Sequence, residues 1–191
     1  MKGTLAVTGD PQADALVNED PLALLIGMLL DQQVPMEWAF LGPSLLRARL
    51  GGLDAAAIAS MDPDEFLVVA KGPRAIHRFP KAMAKRVQDL CAAIVEHHGG
   101  RAERVWEGVD SGAELLARLR ALPGYGEEKS RIFVAILAKR FGIRPAGWEE
   151  AAGPFADDEP RSVADIHDPE SLAAVRAWKK AKKAAGKSKQ D

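Results

Sequence analysis

The chain has 191 residues, 47% hydrophobic and 28% charged, with a formal net charge of −1. That fits one globular domain, or one domain in two lobes, long enough to bury roughly 70% of its unfolded surface. Its single cysteine, Cys91, excludes an intrachain disulfide, an all-cysteine zinc site and a cysteine-ligated iron–sulfur cluster.

In chain order the sequence predicts an almost entirely helical protein. Asp10-Pro11, Asp20-Pro21, Asp62-Pro63 and Asp168-Pro169 each predict a helix start. The Asp carboxylate accepts from first-turn amides, and Pro at the first helical position gives up no hydrogen bond. Thr4 to Val7 is the one candidate strand. After Asp20, Leu22, Leu25, Ile26, Leu29 and Leu30 follow helical spacing with apolar neighbours, which predicts a helix buried on most sides. This apolar run is about half the ~20 residues of a membrane span, and the first residues lack a basic-then-apolar leader pattern. A cytoplasmic, membrane-free setting is therefore the expectation. Pro35 ends this helix near Gln33. Further helices are predicted over 36–50 with Pro43 inside, 54–60, 63–70, 80–98, 111–122 and from Gly126 to Phe141. Residues 143–167, rich in Pro, Gly and acid, read as turns and loops. A last helix from Pro169 to about Ala185 leads into a disordered Lys-rich end. From Arg176 onward seven Lys and Arg face one Asp, so the preceding body is acidic. A basic end on an acidic body fits nucleic acid as partner, and equally fits a solvated terminus.

The most informative stretch is 119–141: an amphipathic helix, then Leu122-Pro123-Gly124-Tyr125-Gly126, then a second amphipathic helix. Two helices joined by a Gly-x-Gly turn make a hairpin whose second helix points free amides outward at its positive end. That arrangement suits a phosphate and reads no base.

These residues resemble the helix-hairpin-helix of the endonuclease III (HhH-GPD) superfamily of base-excision DNA repair proteins. Upstream, the run from Leu24 to Gln33 is similar to that superfamily's first core helix, where a Gln or Asn near the helix end faces DNA. Residues 81–91 are similar to its long packing helix, so the resemblance covers about 20–141. Asp31-Gln32-Gln33-Val34-Pro35-Met36-Glu37-Trp38 together with His77-Arg78-Phe79-Pro80 resemble a small bacterial branch without an iron–sulfur cluster. The resemblance implies an all-α, two-lobed fold. Residues 20–141 form the core, ending in the hairpin unit at 111–141. Residues 1–19 plus 142–185 form a second lobe, and 186–191 a disordered basic tail. It implies duplex DNA containing a lesion as partner, a monomer, and no cofactor or metal.

The sequence departs from the superfamily at two places. The Lys that follows the hairpin in strand-cleaving members is replaced by Glu128, and Lys129 lies one residue on, about 100° around the helix. A lyase reaction through this helix is therefore not expected, and a monofunctional N-glycosylase is the leading expectation. The superfamily's Asp falls on Ala146 by straight counting, or on Glu149 when aligned on Phe141-Gly142. Glu149 and, as an alternative, Asp31 are the candidate catalytic carboxylates, needed to stabilise the cation-like sugar that base loss creates. Each has a simpler role open to it, as a short-helix cap or a helix-end hydrogen bond.

Gly124, Tyr125, Gly126, Lys129, Ser130, Gln33, Gln32 and Arg78 are the candidate DNA contacts. Gln32 and Gln33 either fill the gap left by a flipped base or make hydrogen bonds at a helix end. Trp38, His77 and Trp148 either wall a base pocket or belong to the core. His77-Arg78-Phe79-Pro80 either contacts phosphate or shapes the base pocket, or Phe79 is a core staple with His77 at the surface. His97 and His98 suit a helix C-terminus, and no third metal ligand lies near them. Glu127 and Glu128 oppose an incoming phosphate. A non-catalytic binder of damaged DNA and, from another class, a protein–protein adaptor are the rival readings.

Overall fold

The computed structural model describes residues 2–186, 188 and 190. Lys187, Lys189 and Asp191, on which the expectation of a disordered basic end falls, lie outside the described residues. Among the described residues ten α-helices form and no strand does. They are α1 (Pro11–Glu19), α2 (Pro21–Leu30), α3 (Met36–Leu50), α4 (Ala55–Ser60), α5 (Pro63–Lys71), α6 (Pro80–His98), α7 (Gly112–Arg120), α8 (Glu127–Arg140), α9 (Trp148–Ala152) and α10 (Pro169–Ala184).

All four Asp-Pro pairs start helices. Asp10, Asp20, Asp62 and Asp168 accept from first-turn amides of α1, α2, α5 and α10. Thr4 to Val7 does not form the expected strand. Side chains of α1 take its amides instead: Leu5 N donates to Asn18 Oδ1 at 2.9 Å, and Val7 N to Asp14 Oδ1 at 3.0 Å. With those donors satisfied, no partner strand is needed. The expected loop over 143–167 also holds more order than its composition implies. It contains α9 and 3-10 turns at Gly153–Ala156 and Val163–Asp165. Buried Ala151, Ala152, Phe155, Val163 and Ala164 anchor it, and Lys139 Nζ pairs with Asp165 Oδ1 at 2.6 Å.

Every residue of α2 after Pro21 is buried. Its ten residues pack against α1, α3, α6 and the 3-10 turn at Ala102–Val105. A Cβ on Gly27 would lie 2.9 Å from the Phe40 ring, so α3 approaches α2 more closely there than a side chain allows. Around this central helix, α4 and α5 pack on α6, and α7 and α9 pack on α8. One apolar cluster runs from Leu5 to Val175, through both of the expected lobes. No helix among the described residues is long and apolar enough to cross a membrane.

Candidate nucleic-acid interface and cleft

The hairpin turn follows from its two glycines and one tyrosine. Tyr125 N–H donates to Leu122 O at 3.1 Å, and Gly124 takes φ +82°. Tyr125 is buried, its hydroxyl donates to Leu25 O at 2.7 Å, and its ring meets Phe133 edge-on at 5.8 Å. Its side chain therefore anchors the hairpin to α2 rather than reaching DNA, and burial pushes the phenol well above its ordinary pKa. Ser130, expected as a DNA contact, is fully buried and its side chain does not reach the surface. Gly124 and Gly126 are exposed at the turn. No side chain caps the first amides of α8, in contrast to the Asp-capped starts elsewhere. The acid beside these amides is partly offset. Glu127 pairs with Arg120 at 2.9 Å and with Arg131 at 2.7 Å.

Lys129 is turned inward. Its Nζ donates to Met28 O, to Leu29 O at 2.9 Å and to Asp31 O at 3.4 Å. These carbonyls end α2, where no further helical turn exists to satisfy them. The amine expected to meet phosphate thus caps the central helix, a reason for Lys at this position that has nothing to do with DNA.

The same helix end is held from a second side. Gln32 Nε2 donates to Leu29 O at 2.8 Å, and Gln32 Oε1 accepts from Arg86. His77 Nε2 bonds Gln32 O at 2.8 Å, while its Nδ1 accepts from Phe79 N at 3.0 Å. The ring is therefore the neutral tautomer with its proton on Nε2. His77 is fully buried, so it is a brace behind the loop and not the wall of a base pocket. Trp38 is half-buried and donates its indole N–H to Ala75 O at 2.9 Å, tying α3 to the same loop. What these bonds leave outside is Gln33, exposed at φ +55°, and Phe79, 43% exposed with the Arg78 guanidinium 4.4 Å above its ring. Of the two readings open for this stretch, Phe79 as a core staple with His77 at the surface is not formed: Phe79 is outside, and Ile76 and His77 fill the interior.

Burial holds the His77 imidazole below its ordinary pKa of about 6.5. Arg78, Lys129 and Arg86 add to this, and the bond to Gln32 acts against it. Below pH 6.5 the unfolded chain takes up a proton at this position that the folded chain resists. His77 therefore contributes fully above that pH, and its contribution falls as pH drops toward the folded value. Thermal melts from pH 8 to 5 should show wild type losing stability on acidification more steeply than His77→Gln. Parallel curves for the two proteins would refute this.

Beside Gln33 lies a cleft of about 380 Å³ between the α2–α3 loop and α10. Asp31, Gln32, Gln33 and Glu37 line one side, and Arg176 and Lys179 the other. Arg176 pairs with Glu37, and Lys179 Nζ lies 2.8 Å from Met36 Sδ. Glu37, Arg176 and Lys179 were not singled out from the sequence. The available signal was the spacing of Arg176, Lys179, Lys180 and Lys183, which puts four cations along one side of a helix. Glu149 and Trp148 sit on α9 and are not among the residues lining this cleft. Glu149 is exposed. The Trp148 backbone is pressed against Gly112 at the start of α7, where a Cβ would come within 2.7 Å, and the Arg144 guanidinium lies 5.8 Å from its ring. Cys91 is buried and its thiol is pushed up to about 12, which removes it as a nucleophile. Among the described residues no three His, Cys, Asp or Glu side chains gather into a metal-binding group.

Known structures of similar shape include three repair enzymes. One is a trapped endonuclease III–DNA covalent intermediate, at 17% identity and TM-score 0.46, covering 82% of this chain and 66% of that one. A second is a thermostable thymine-DNA glycosylase, at 15% and 0.42, covering 68% and 58%. The third is the H. pylori 3-methyladenine DNA glycosylase bound to 1,N6-ethenoadenine, at 16% and 0.48, covering 85% and 86%. The chain thus spans less than two thirds of the first two. No curated protein sequence matches it. The model of the HhH-GPD superfamily matches residues 26–190. That span takes in the second half of the buried helix, the Gln loop, the hairpin and α10, and the chain belongs to the HhH-GPD superfamily of base excision DNA repair proteins.

Proposed function

We propose that the protein is a DNA glycosylase that hydrolyses the N-glycosidic bond of a damaged base in duplex DNA, acting as a monomer and without a cofactor. One observation carries this reading. Lys129 and His77 grip the backbone at 28–32 from the hairpin and from the 72–79 loop. The exposed hairpin glycines, Gln33 and Phe79 are thereby held around one rigid support beside the cleft. Phosphate binds at the uncapped start of α8 without regard to sequence. Gln33 and Phe79 occupy space in the stack when a nucleotide leaves it, and the cleft receives that nucleotide. Asp31, in the cleft wall, is the carboxylate that stabilises the developing sugar cation and orients water. The reaction is hydrolytic at the hairpin, since Glu128 stands where an amine would be needed and the Lys129 amine is turned onto α2.

The test is base release from duplexes that each carry one alkylated, deaminated or oxidised base, read as strand breaks after hot alkali. Asp31→Asn is expected to lower the rate by about 10²–10³-fold, and Glu149→Gln to leave it unchanged. The reverse result would move the acid to α9. A second reading, a non-catalytic binder of damaged DNA, is favoured by Glu128 and Ala146 at the superfamily's Lys and Asp positions. Lesion-selective retention without base release from any duplex would establish it.

A further inference from the structure

We propose that α10 carries a second nucleic-acid surface: the flank of the helix that holds Arg176, Lys180 and Lys183 binds backbone phosphates of the duplex and supplies much of the protein's hold on undamaged DNA. This rests on reading duplex DNA as the partner. α10 contains five cations, Arg176, Lys179, Lys180, Lys182 and Lys183, and one anion, Glu170 in its first turn. Like charges three and four residues apart destabilise a helix. Lys182 and Lys183 lie in the last turn, where the negative end of the helix dipole offsets part of that cost. Arg176, Lys179 and Lys180 lie earlier, outside the reach of that effect, on a chain whose preceding body is acidic. At about 100° per residue, Arg176, Lys180 and Lys183 fall within about 60° of one another around the helix. All three are exposed.

The other flank of the helix is fixed to the body. Val175 is fully buried and Leu172 half-buried. The Trp178 indole N–H donates to Glu159 Oε2 at 3.1 Å, and Arg161 and Lys182 lie 5.3 and 4.9 Å from its ring. Arg176 pairs with Glu37 at the cleft while its side chain stays 59% exposed. These contacts set the rotation of the helix, so the cationic flank runs along the edge of the cleft for about 10 Å from Arg176 to Lys183. Beyond α10, Gln190 Nε2 donates to Glu128 Oε2 at 3.3 Å in the first turn of α8, so the chain end returns to the hairpin. The cleft, the hairpin and the cationic flank thus share one side of the molecule. The large apolar side chains of α10, Leu172, Val175 and Trp178, are turned to the body, and the exposed positions between the cations hold Ala177 and Ala181. A membrane-surface helix needs a broad apolar face to insert. This flank offers charge alone, which suits the phosphates of a polyanion and reads no base.

The experiment measures binding of the full chain to a short undamaged duplex by fluorescence anisotropy over a salt series. Each phosphate contact contributes about 0.9 to the slope of log affinity against log salt. Lys180→Gln/Lys183→Gln should make that slope less negative by about 1.8 and weaken binding at about 0.1 M salt by about 10–60-fold. Glutamine is close to lysine in helix propensity, so α10 is kept. Lys182→Gln removes a charge from the flank that faces Trp178 and should leave the slope unchanged. An unchanged slope in the double variant would overturn the proposal. So would an equal change per charge in Lys182→Gln, because net charge rather than a defined surface would then be at work. Loss of binding to vesicles of phosphatidylserine and phosphatidylcholine in the double variant, with duplex binding intact, would overturn it in favour of a membrane. Base release is read separately on lesion duplexes. A wild type that releases no base, beside a double variant that loses the slope, would remove the glycosylase reading and uphold this one.

Discussion

Gly124→Ala should be the most damaging single-methyl change in the hairpin. An L side chain at φ +82° costs about 1–2 kcal/mol. The added Cβ would also come within 2.3 Å of Leu29 Cδ1 on the central helix, and overpacking of that kind costs roughly 1–3 kcal/mol more. The sum, about 2–5 kcal/mol, corresponds to a melting temperature lower by roughly 4–20 °C for a chain of this size. Gly126, two residues on, is the matched control. Its φ is −80° and nothing lies within 4 Å of a Cβ there. Gly126→Ala should melt within about 1–2 °C of wild type, as unstrained surface changes do. It should nevertheless weaken retention of duplex DNA, because the methyl group stands where a phosphate approaches the amides of α8. Equal losses of stability in the two variants would contradict this division of labour. Calorimetry for stability and a gel shift for binding separate the two effects.

What the sequence made legible was local. An Asp before a Pro meets the amides two or three residues away, so four helix starts could be read from four dipeptides. The continuous apolar run of α2 says it is buried before any neighbour is known. The hairpin, too, is written in consecutive residues. The functional meaning of individual side chains was not, because each was decided by a partner far along the chain. Lys129 bonds carbonyls 101 and 100 residues away, Tyr125 one 100 away, and His77 one 45 away. A Lys or Tyr beside a Gly-x-Gly turn therefore resembles a DNA contact whether it faces out or caps a helix behind it. The cleft was the least legible feature. Its far wall is α10, whose Arg176 meets Glu37 across 139 residues. Its basic composition alone leaves a solvated tail and the wall of a site equally open. The cleft role of Glu37 was not legible, since its partner there is Arg176 of α10, 139 residues away.

Lys129→Met should destabilise the protein by about 2–3 kcal/mol, and for a reason unconnected with catalysis. Methionine keeps most of the stem that packs along α2 and removes the charged donor. Two α2 carbonyls, Met28 O and Leu29 O, then lose their bond to an ammonium, and such bonds contribute about 1.5–3 kcal/mol each when one partner is charged. Both carbonyls keep a second donor, Asp31 N for Met28 O and Gln32 Nε2 for Leu29 O, which holds the total below the sum of two lost bonds. The melting temperature should fall by roughly 4–12 °C, and hydrogen exchange should speed up first at the Asp31 and Gln32 amides, whose bonds lie at this helix end. Because Asp31 lies at the same end, base release should slow as well, through displacement of the carboxylate rather than loss of a nucleophile. A Lys129→Met variant that melts with wild type would contradict the role of Lys129 as the cap of α2.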